Sequence, residues 1–365
     1  MKLFTKKPQR QEIKTYYHPL GRPIWNEKNY EIFAKEGYAK NAIVYKCINL
    51  IAKNAANVPF LLYDKNKNKS IENHPLMQLL KKPNPSQNGV DFFESLYSYK
   101  LIAGNVYIQN IKQKELYLLR PDRVNIVANN TLPIAYKYKV GNNEKTFYAD
   151  EILHIKTFNP LNDYYGLSVV EASSNAIDQY NEGSNWNKAM LQNGAKPSGA
   201  LIVKGDKETS SFLTNEQFDR LKKQLNDDFS GSNNAGRPLL LEGGLEWQEM
   251  SLKPTDMDFL NTKYSCARDI ALTFGVPPQL LGIQGDSTYN NMGEARLSLW
   301  EETILPLLDN TIEAFNNYFC NSDIGFYYEK DKISALNSQQ EKYWNKIAIA
   351  DFLSSDEKKK LLDLQ

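Results

Sequence analysis

The sequence is poor in the residue types that usually perform enzymatic chemistry. Its 365 residues include three histidines and three cysteines, which lie on unrelated segments and form no C-x-x-C pair. Zinc sites draw ligands from closely spaced pairs of such residues, so we expect no metal. The spacing also excludes a disulfide framework and favours reduced thiols in a cytosolic compartment. The six residues are His18, His74, His154 (interpreted as structural, within a predicted strand), Cys47, Cys266 and Cys320.

Motifs for nucleotide binding and catalysis are missing as well. The sequence contains no P-loop, no G-x-S-x-G elbow and no H-E-x-x-H motif. Glu301 and Glu302 are adjacent on a predicted helix and project to different faces, which is typical of a solvated surface. Asp256 and Asp258 begin another predicted helix, where carboxylates stabilise the helix dipole. We therefore expect no catalytic residue and no cofactor, and an enzyme with an unrecognised site is kept as an alternative.

The net charge of +1 conceals two halves of opposite sign. Residues 1–167 carry 25 basic and 14 acidic side chains, whereas residues 168–365 carry 19 basic and 29 acidic ones. This asymmetry indicates different partners for the two halves, and like charges keep an acidic half from gripping a phosphate backbone. No apolar run approaches the roughly 20 residues that cross a bilayer, and no apolar segment follows the basic start. We expect neither a membrane partner nor a secretory signal.

Short elements of both kinds are predicted in the N-terminal half. Apolar residues at helical spacing indicate a helix over 39–57, and a strand over Val58–Tyr63 follows it. A short helix begins at Pro75, and an amphipathic helix covers Val90–Ala103. Between 104 and 158 the chain consists of short runs of β-branched and aromatic residues separated by turn signals. This pattern predicts an antiparallel sheet domain with the preceding helices packed on it.

The two ends of the chain show weaker patterns. Residues 1–37 have a basic start and no periodicity, and we interpret them as an extended, mostly polar arm. A disordered terminus and a docking arm that orders on assembly both remain open for this segment. The tail over 330–365 is predicted to be helical, charged and loosely packed.

Long helices and a small insert are predicted in the C-terminal half. Ser168 and Glu171 form an S-x-x-E capping box that opens a helix to about Asn193. Residues 197–253 predict a small α/β unit with a hairpin at Gly243-Gly244. Two further helices are separated by a Gly/Asn/Ser-rich loop; they cover 256–274 and 292–319, and Pro306 should kink the second. Two long helices that bracket a compact insert indicate a stalk that packs laterally in an oligomer.

Several ordered motifs resemble those of phage portal proteins of the HK97 family. The most specific stretch is Arg268–Gly282, in which Phe-Gly-Val-Pro-Pro precedes Leu-Gly, followed by a polar loop and a helix with Trp300 and Leu305-Pro306-Leu307. The remaining matches are Asn41–Ile48, Asn57–Phe60, His74–Leu76, Lys82–Pro85, Gly104–Tyr107, Tyr165–Ser168 and Asn193–Gly199. The resemblance covers about residues 38–330 in the family's order.

The resemblance implies an α+β portal fold with a wing, long stem helices, a small α/β clip insert and a kinked tunnel helix, assembled as a ring. The corresponding segments are a basic N-terminal arm (1–37), the wing (38–167), a stem helix (168–196), the clip (197–255), a second stem helix (256–282), the tunnel loop (283–292), the tunnel helix and its continuation (293–319), and a short helical crown or C-terminal tail (320–365).

The function implied by the resemblance is a ring-shaped channel at a unique capsid vertex, through which double-stranded DNA is packaged and ejected. The implied partners are further copies of the chain, typically in a dodecamer, DNA bound without sequence preference, the terminase large subunit, the head–tail adaptor, and the major capsid and scaffold proteins. The implied location is the virion, with assembly in the host cytoplasm. Another head–tail ring protein is an alternative, and a phage, a prophage remnant and a gene-transfer particle are not distinguished.

The resemblance also assigns site residues. The tunnel loop contributes Gln284, Asp286, Ser287, Thr288, Tyr289, Asn290, Asn291 and Met292; the tunnel helix contributes Glu294, Arg296, Trp300 and Glu301; the clip binds partners through Arg237, Glu242 and Trp247. Over 256–319 nine acidic residues outnumber three basic ones, and such a repulsive sleeve passes DNA without holding it. An ordinary helix–helix loop remains the alternative for 283–292. Charged residues in place of Phe274 or Trp300 are expected to leave monomers.

Overall fold

The computed structural model describes residues 30–67, 69–129, 132–192, 199–203, 245–249, 259–283 and 291–336, together with the single positions 216, 219, 220, 223, 347, 349, 354 and 357. The statements below concern these residues. Of the arm predicted over 1–37, residues 1–29 lie outside them.

The first described residues are helical, which corrects the arm prediction for 30–37. Helix α1 (Tyr30–Ile32) continues as a π-helical segment over Phe33–Ala39, and Phe33 is buried in the main core. Helix α2 (Ala42–Ala56) begins at Asn41, whose Oδ1 accepts hydrogen bonds from two backbone N–H groups of the first turn. The segment therefore belongs to the packed subunit, a role that its polar composition concealed.

The main core lies between α2 and α4 (Gly89–Ala103), with the short helix α3 (Pro75–Lys81) beside them. The apolar face that the sequence predicts for α4 is buried, and its Phe93 ring lies 4.9 Å from Phe60 and 5.9 Å from Phe315. Core residues with no or almost no exposure are Val44, Ile48, Ile51, Leu62, Phe92, Leu96, Tyr97, Ile108, Ile270, Ile304, Leu308 and Phe315.

The predicted strands form small antiparallel sheets. Strands β3 (Asn105–Ile111), β4 (Glu115–Leu119) and β8 (Ile152–Lys156) make one sheet in the order β4-β3-β8. Strands β5 (Val124–Ala128), β6 (Pro133–Val140) and β7 (Asn143–Tyr148) make a second sheet in sequence order. A small second core, which includes Tyr107, Tyr136 and Phe147, joins the two sheets.

A third sheet brings the two ends of the described chain together. Strand β1 (Leu61–Asp64) pairs with β2 (Lys69–Ile71) on one side and with a late strand, Ile324–Tyr327, on the other. Both pairings are antiparallel, and Leu62 lies opposite Phe326. The prediction of a helical segment from 320 is therefore wrong for this stretch, because the strand completes a sheet of the N-terminal part. Ile333 and Leu336 beyond it are buried in the main core.

The long C-terminal helices are present, with two interruptions. The helix predicted from Ser168 is split at Ser173 into α5 (Val169–Ala172) and α6 (Ser174–Gln192). Helix α7 (Phe259–Thr273) packs against α6. Along the chain, α6 and α7 are separated by two strands that pair in antiparallel fashion, β9 (Gly199–Val203) and β10 (Leu245–Glu249). The last long helix consists of α8 (Met292–Ser298), a π-helical turn (Leu299–Ile304) and α9 (Leu305–Phe319). The late strand at Ile324–Tyr327 is β11.

A close crossing of two loops joins the sheets to the long helices. Gly104 ends α4 with φ of +69°, and a Cβ atom on Gly166 would lie 2.1 Å from the Gly104 carbonyl oxygen. The buried Asn105 side chain forms hydrogen bonds with both backbone polar groups of Gly166. Its Oδ1 accepts from the Gly166 N–H at 2.8 Å, and its Nδ2 donates to the Gly166 carbonyl at 3.2 Å. Ser168 then caps α5 and donates to the carbonyl of Ile102.

His154 lies beside this crossing and is structural, as its strand context predicts. Its ring stacks on Tyr107 with centroids 4.4 Å apart, and its Nε2 lies 3.1 Å from Asn105 Oδ1. Because that oxygen is an acceptor, the contact requires the Nε2–H tautomer. Burial, with a smaller contribution from nearby Lys156, lowers the pKa of His154 to about 3.

Replacing Gly166 with alanine should destabilise the subunit by about 3 kcal/mol or more, because the new methyl group meets backbone atoms that cannot move aside. Chemical denaturation of the variant and the wild type measures the difference. Gly183→Ala is the matched control: no atom lies within 4 Å of a Cβ there, and alanine in the middle of α6 should raise stability by about 0.5–1 kcal/mol. Equal effects at the two positions would contradict the crossing.

Neutral His154 should make the fold sensitive to acid. Because its folded pKa is depressed to about 3, its contribution is complete above the unfolded pKa of about 6.5 and is lost as pH falls toward 3. The loss is at most about 1.4 kcal/mol per pH unit. His154→Phe keeps a ring on Tyr107 and removes the titration, so the free energy of unfolding should depend less on pH between 6.5 and 3. An unchanged slope in the variant would refute this assignment.

Candidate functional site

The predicted site lies between α7 and α9, and the structure describes its two flanks. Asn291, exposed, and Met292, half-buried, stand at the start of α8. The other residues predicted for the loop lie outside the described residues: Gln284, Asp286, Ser287, Thr288, Tyr289 and Asn290. Their role stays a prediction.

The upstream flank is a tightly closed helix end. Helix α7 ends with Gly275 at φ of +64°, a conformation that glycine adopts without a steric penalty. The Gly275 N–H donates to the Leu272 carbonyl, and the Val276 N–H donates to the Ala271 carbonyl at 2.9 Å. These two bonds are the Schellman pattern, and the buried side chains of Val276 and Ala271 supply its apolar contact. The Phe-Gly-Val sequence therefore stops the helix at a defined residue.

Two prolines then direct the chain away from α7. A 3-10 turn covers Pro278–Leu281 and ends at Gly282 with φ of +73°. Ile283 after it is buried. The last described residue before the loop is thus anchored in the protein interior.

The downstream flank contains the π-helical turn over Leu299–Ile304. The Leu305 N–H donates to the carbonyl of Trp300, five residues earlier. Pro306 follows and has no N–H, and in a regular α-helix its ring would clash with the carbonyl four residues before it. The wider π turn supplies room at this point. The predicted proline effect therefore takes the form of a local change in hydrogen-bond register.

A hydrogen bond joins the two flanks. Thr303 Oγ1 donates to the Gly275 carbonyl at 2.7 Å. A Cβ atom on Gly275 would lie 2.4 Å from Thr303 Oγ1, so a side chain there would displace the threonine. Sequence reasoning missed Thr303, because its partner is 28 residues away and the bond depends on how the two helices meet. The helix end before the loop and the helix after it are therefore held to each other.

Trp300, predicted as a residue of the tunnel helix, is buried within the subunit. Its side chain is only 9% exposed and packs in the main core, as does Phe274 at 3%. A charged residue at either position would be buried without compensation and would disrupt the subunit itself. The expectation that such variants report on assembly is corrected accordingly.

The exposed side chains of α8 to α9 are mainly acidic. Glu294, Glu301, Glu302, Asp309 and Glu313 are exposed, and Asp309 accepts a hydrogen bond from the Tyr328 hydroxyl at 2.8 Å. Over 291–319 the only basic side chain is Arg296, which is also exposed. Glu301 follows Glu294 by seven residues, and Asp309 follows Glu302 by seven, so the acidic side chains are distributed along the length of the helix. This surface repels polyanions.

The predicted clip is described in part. Trp247 lies in β10, where it is paired with Leu201 of β9. Arg237, Glu242 and the predicted hairpin at Gly243-Gly244 lie outside the described residues. Helical conformation at the single positions 216, 219, 220 and 223 agrees with the helix predicted after 214.

In the part of the chain that the structure describes, no cluster of three or more His, Cys, Asp or Glu side chains could hold a metal ion. Over the same residues, every helix is too short or too polar to span a bilayer.

Comparison with known proteins identifies the family. The sequence profile described as "Phage portal protein" matches residues 42–363. A protein of Rickettsia bellii (strain RML369-C), described as uncharacterized, is 49% identical over 341 residues, which cover 90% of this chain and 88% of that one. The portal protein of Enterobacteria phage HK97 is 23% identical over 305 residues, covering 80% of this chain and 70% of that one.

Solved structures agree in fold and extent. A chain in "Neck of empty GTA particle computed with C6 symmetry" is 39% identical, with a TM-score of 0.72, and the match covers 94% of this chain and 96% of that one. A chain in "Neck of native GTA particle computed with C12 symmetry" is 37% identical, with a TM-score of 0.70 and the same coverage. The α+β architecture described above is the portal fold. The chain belongs to the phage portal protein family.

Proposed function

We propose that this chain is the subunit of a ring-shaped portal at a unique capsid vertex, through which double-stranded DNA is packaged and ejected. The observation that carries the proposal is the match over 94% of the chain to neck subunits solved with C6 and C12 symmetry. Cyclic symmetry of this kind places identical subunits around a central axis. The role is structural, and the energy for DNA movement comes from a partner.

The acidic surface of α8 to α9 supports a channel function. Proteins that hold DNA regardless of sequence do so by neutralising phosphates with Lys and Arg, and five acidic side chains against Arg296 do the opposite. Twelve copies would surround the duplex with a repulsive wall. The loop over 283–292 then provides the contact closest to the DNA. Its first residue, Ile283, is buried, and the Thr303–Gly275 bond joins the segments before and after it.

Further partners follow from the same proposal. The unit that contains β9 and β10 is the clip, which meets the terminase large subunit and later the head–tail adaptor through the surface around Arg237, Glu242 and Trp247. The outer surface of the ring meets the major capsid and scaffold proteins. The ring assembles in the host cytoplasm and resides in the virion. Higher identity to the neck subunits of gene transfer agent particles than to the phage HK97 portal favours a particle of the gene-transfer type.

The purified chain should form rings near the dodecameric mass. Twelve copies of a 41.9 kDa chain give about 500 kDa, which mass photometry or light scattering resolves from small oligomers. Negative-stain images of the same sample should show a central hole. A compact dimer or tetramer without a hole would reject the portal proposal and support the enzyme alternative.

Reversing charges on the acidic surface of α8 to α9 should impair DNA passage while leaving the ring intact. Glu301→Lys/Glu302→Lys changes two exposed side chains, so folding and particle mass should be unaffected. New phosphate contacts should retain DNA and reduce the yield of DNA-filled particles by about tenfold or more. Glu31→Lys/Glu144→Lys, two exposed acidic side chains outside this helix, is the matched control. Equal packaging by both variants would remove these residues from the channel.

A further inference from the structure

The loop between β8 and α5 exposes two apolar side chains almost completely. Phe158 is 85% exposed and Leu161 is 91% exposed. They lie three residues apart on one loop, and this exposed stretch is called here the 158–161 knob. Exposed apolar groups that are clustered on a protein surface usually mark a contact with another molecule.

The loop that carries the knob is held by several hydrogen bonds. Asn162 Oδ1 accepts from the N–H groups of Tyr164 and Tyr165, at 2.8 and 3.0 Å. The Tyr164 hydroxyl donates to the carbonyl of Asn129, and the Tyr165 hydroxyl accepts from the N–H of Ile126. Because the loop is already ordered, docking the knob loses little conformational entropy.

An open cleft lies at the other end of α4. It measures about 790 Å³ and is bounded by α3, by the first turn of α4 and by β1 and β2. Its apolar floor includes Val58, Phe60, Ile71, Met77 and Phe93. Its rim is polar and carries Glu72, Lys81, Asp91, Glu329 and Lys332, an arrangement of apolar centre and polar edge that is usual at protein interfaces. Val90 at its edge is 45% exposed. The cleft has the volume and the lining to accept the two side chains of the knob.

The knob and the cleft are separated by the length of α4. The knob begins beside the C-terminal end of that helix, where the Thr157 N–H donates to the Gly104 carbonyl at 2.9 Å. The cleft begins at Asn88 and Gly89, at the N-terminal end. Fifteen residues of helix span about 22 Å, so the two features lie on distant parts of one subunit. A subunit therefore cannot insert its own knob into its own cleft.

A ring with cyclic symmetry uses two different contact surfaces on each subunit, and the knob and the cleft are two different surfaces of one subunit. In a ring of more than two copies, each subunit contacts its neighbour through two different surfaces. We propose that the 158–161 knob of one copy docks in the cleft between α3, α4 and the β1–β2 hairpin of the next copy. The proposal rests on the ring assembly proposed above, and its occupant is a second copy of this chain.

Site-directed cross-linking tests the contact directly. Leu161→Cys and Val90→Cys are combined in one chain with Cys320→Ser, since Cys47 and Cys266 are buried and Cys320 is the remaining partly exposed thiol. A short bismaleimide should then give a ladder of covalent oligomers up to the full ring. A mixture of the two single-cysteine variants should give dimers only, and each variant alone should give no cross-link.

The contact should also contribute to assembly. Phe158→Ser/Leu161→Ser changes two exposed side chains, so the melting temperature of the subunit should not change, while the protein concentration at half-assembly should rise by about tenfold or more. Leu132→Ser/Ile134→Ser, at other exposed apolar positions, is the matched control and should assemble like the wild type.

The outcomes separate this proposal from the one on which it rests. Rings of wild-type mass that form without a 161–90 cross-link would overturn the docking and leave the portal proposal intact. Cross-linked dimers from Leu161→Cys alone would show a contact between like surfaces and would also overturn it. A wild-type chain that forms no ring would contradict the portal proposal and, with it, the docking.

Discussion

The subunit depends on one close approach of backbone to backbone. Gly104 and Gly166 approach so nearly that neither position has room for a side chain, and the Asn105 side chain satisfies both polar groups of the Gly166 peptide. This contact joins the end of α4 and the start of β3 to the segment that leads into α5 and α6. The sheets and the long helices therefore meet at a fixed angle. The exposed 158–161 loop starts from the same point, which gives it a defined position on the subunit.

A second constraint acts at the loop between α7 and α8. One flank ends in a Schellman turn at Gly275, the other widens into a π-helical turn before Pro306, and Thr303 bonds the first to the second. Thr303 belongs to that π-helical turn, so the irregular turn and the bond to the upstream flank coincide. On the portal proposal, this bond holds together the two segments that flank the proposed tunnel loop.

Local patterns in the sequence predicted the elements that depend on local physics. The α2 and α4 stripes, the Ser168 cap and the alternating runs of 104–158 all appear as expected, because apolar periodicity and capping act within a few residues. The strand Ile324–Tyr327 was missed, because its partner β1 is some 260 residues earlier and the pairing depends on the completed fold. Trp300 was placed on the tunnel helix, but its burial in the subunit core could not be predicted, because packing against distant helices decides which side of its turn is buried. Asn105 and Gly166 were noticed as motif residues, but nothing local indicates that they touch.

The charge division along the chain acquires a physical meaning in this fold. Residues 1–167 carry the basic excess, whereas α8 to α9 carry five exposed acidic side chains and one arginine. Repulsion between carboxylates on one helix is weak, since each is solvated, but it adds up when many copies surround a common axis. Assembly of like-charged helices therefore needs apolar contacts elsewhere in the subunit to offset that repulsion. The 158–161 knob and the cleft at the far end of α4 are suited to this, because they lie off the acidic helix and, in the docking proposed above, would bury apolar surface between neighbours.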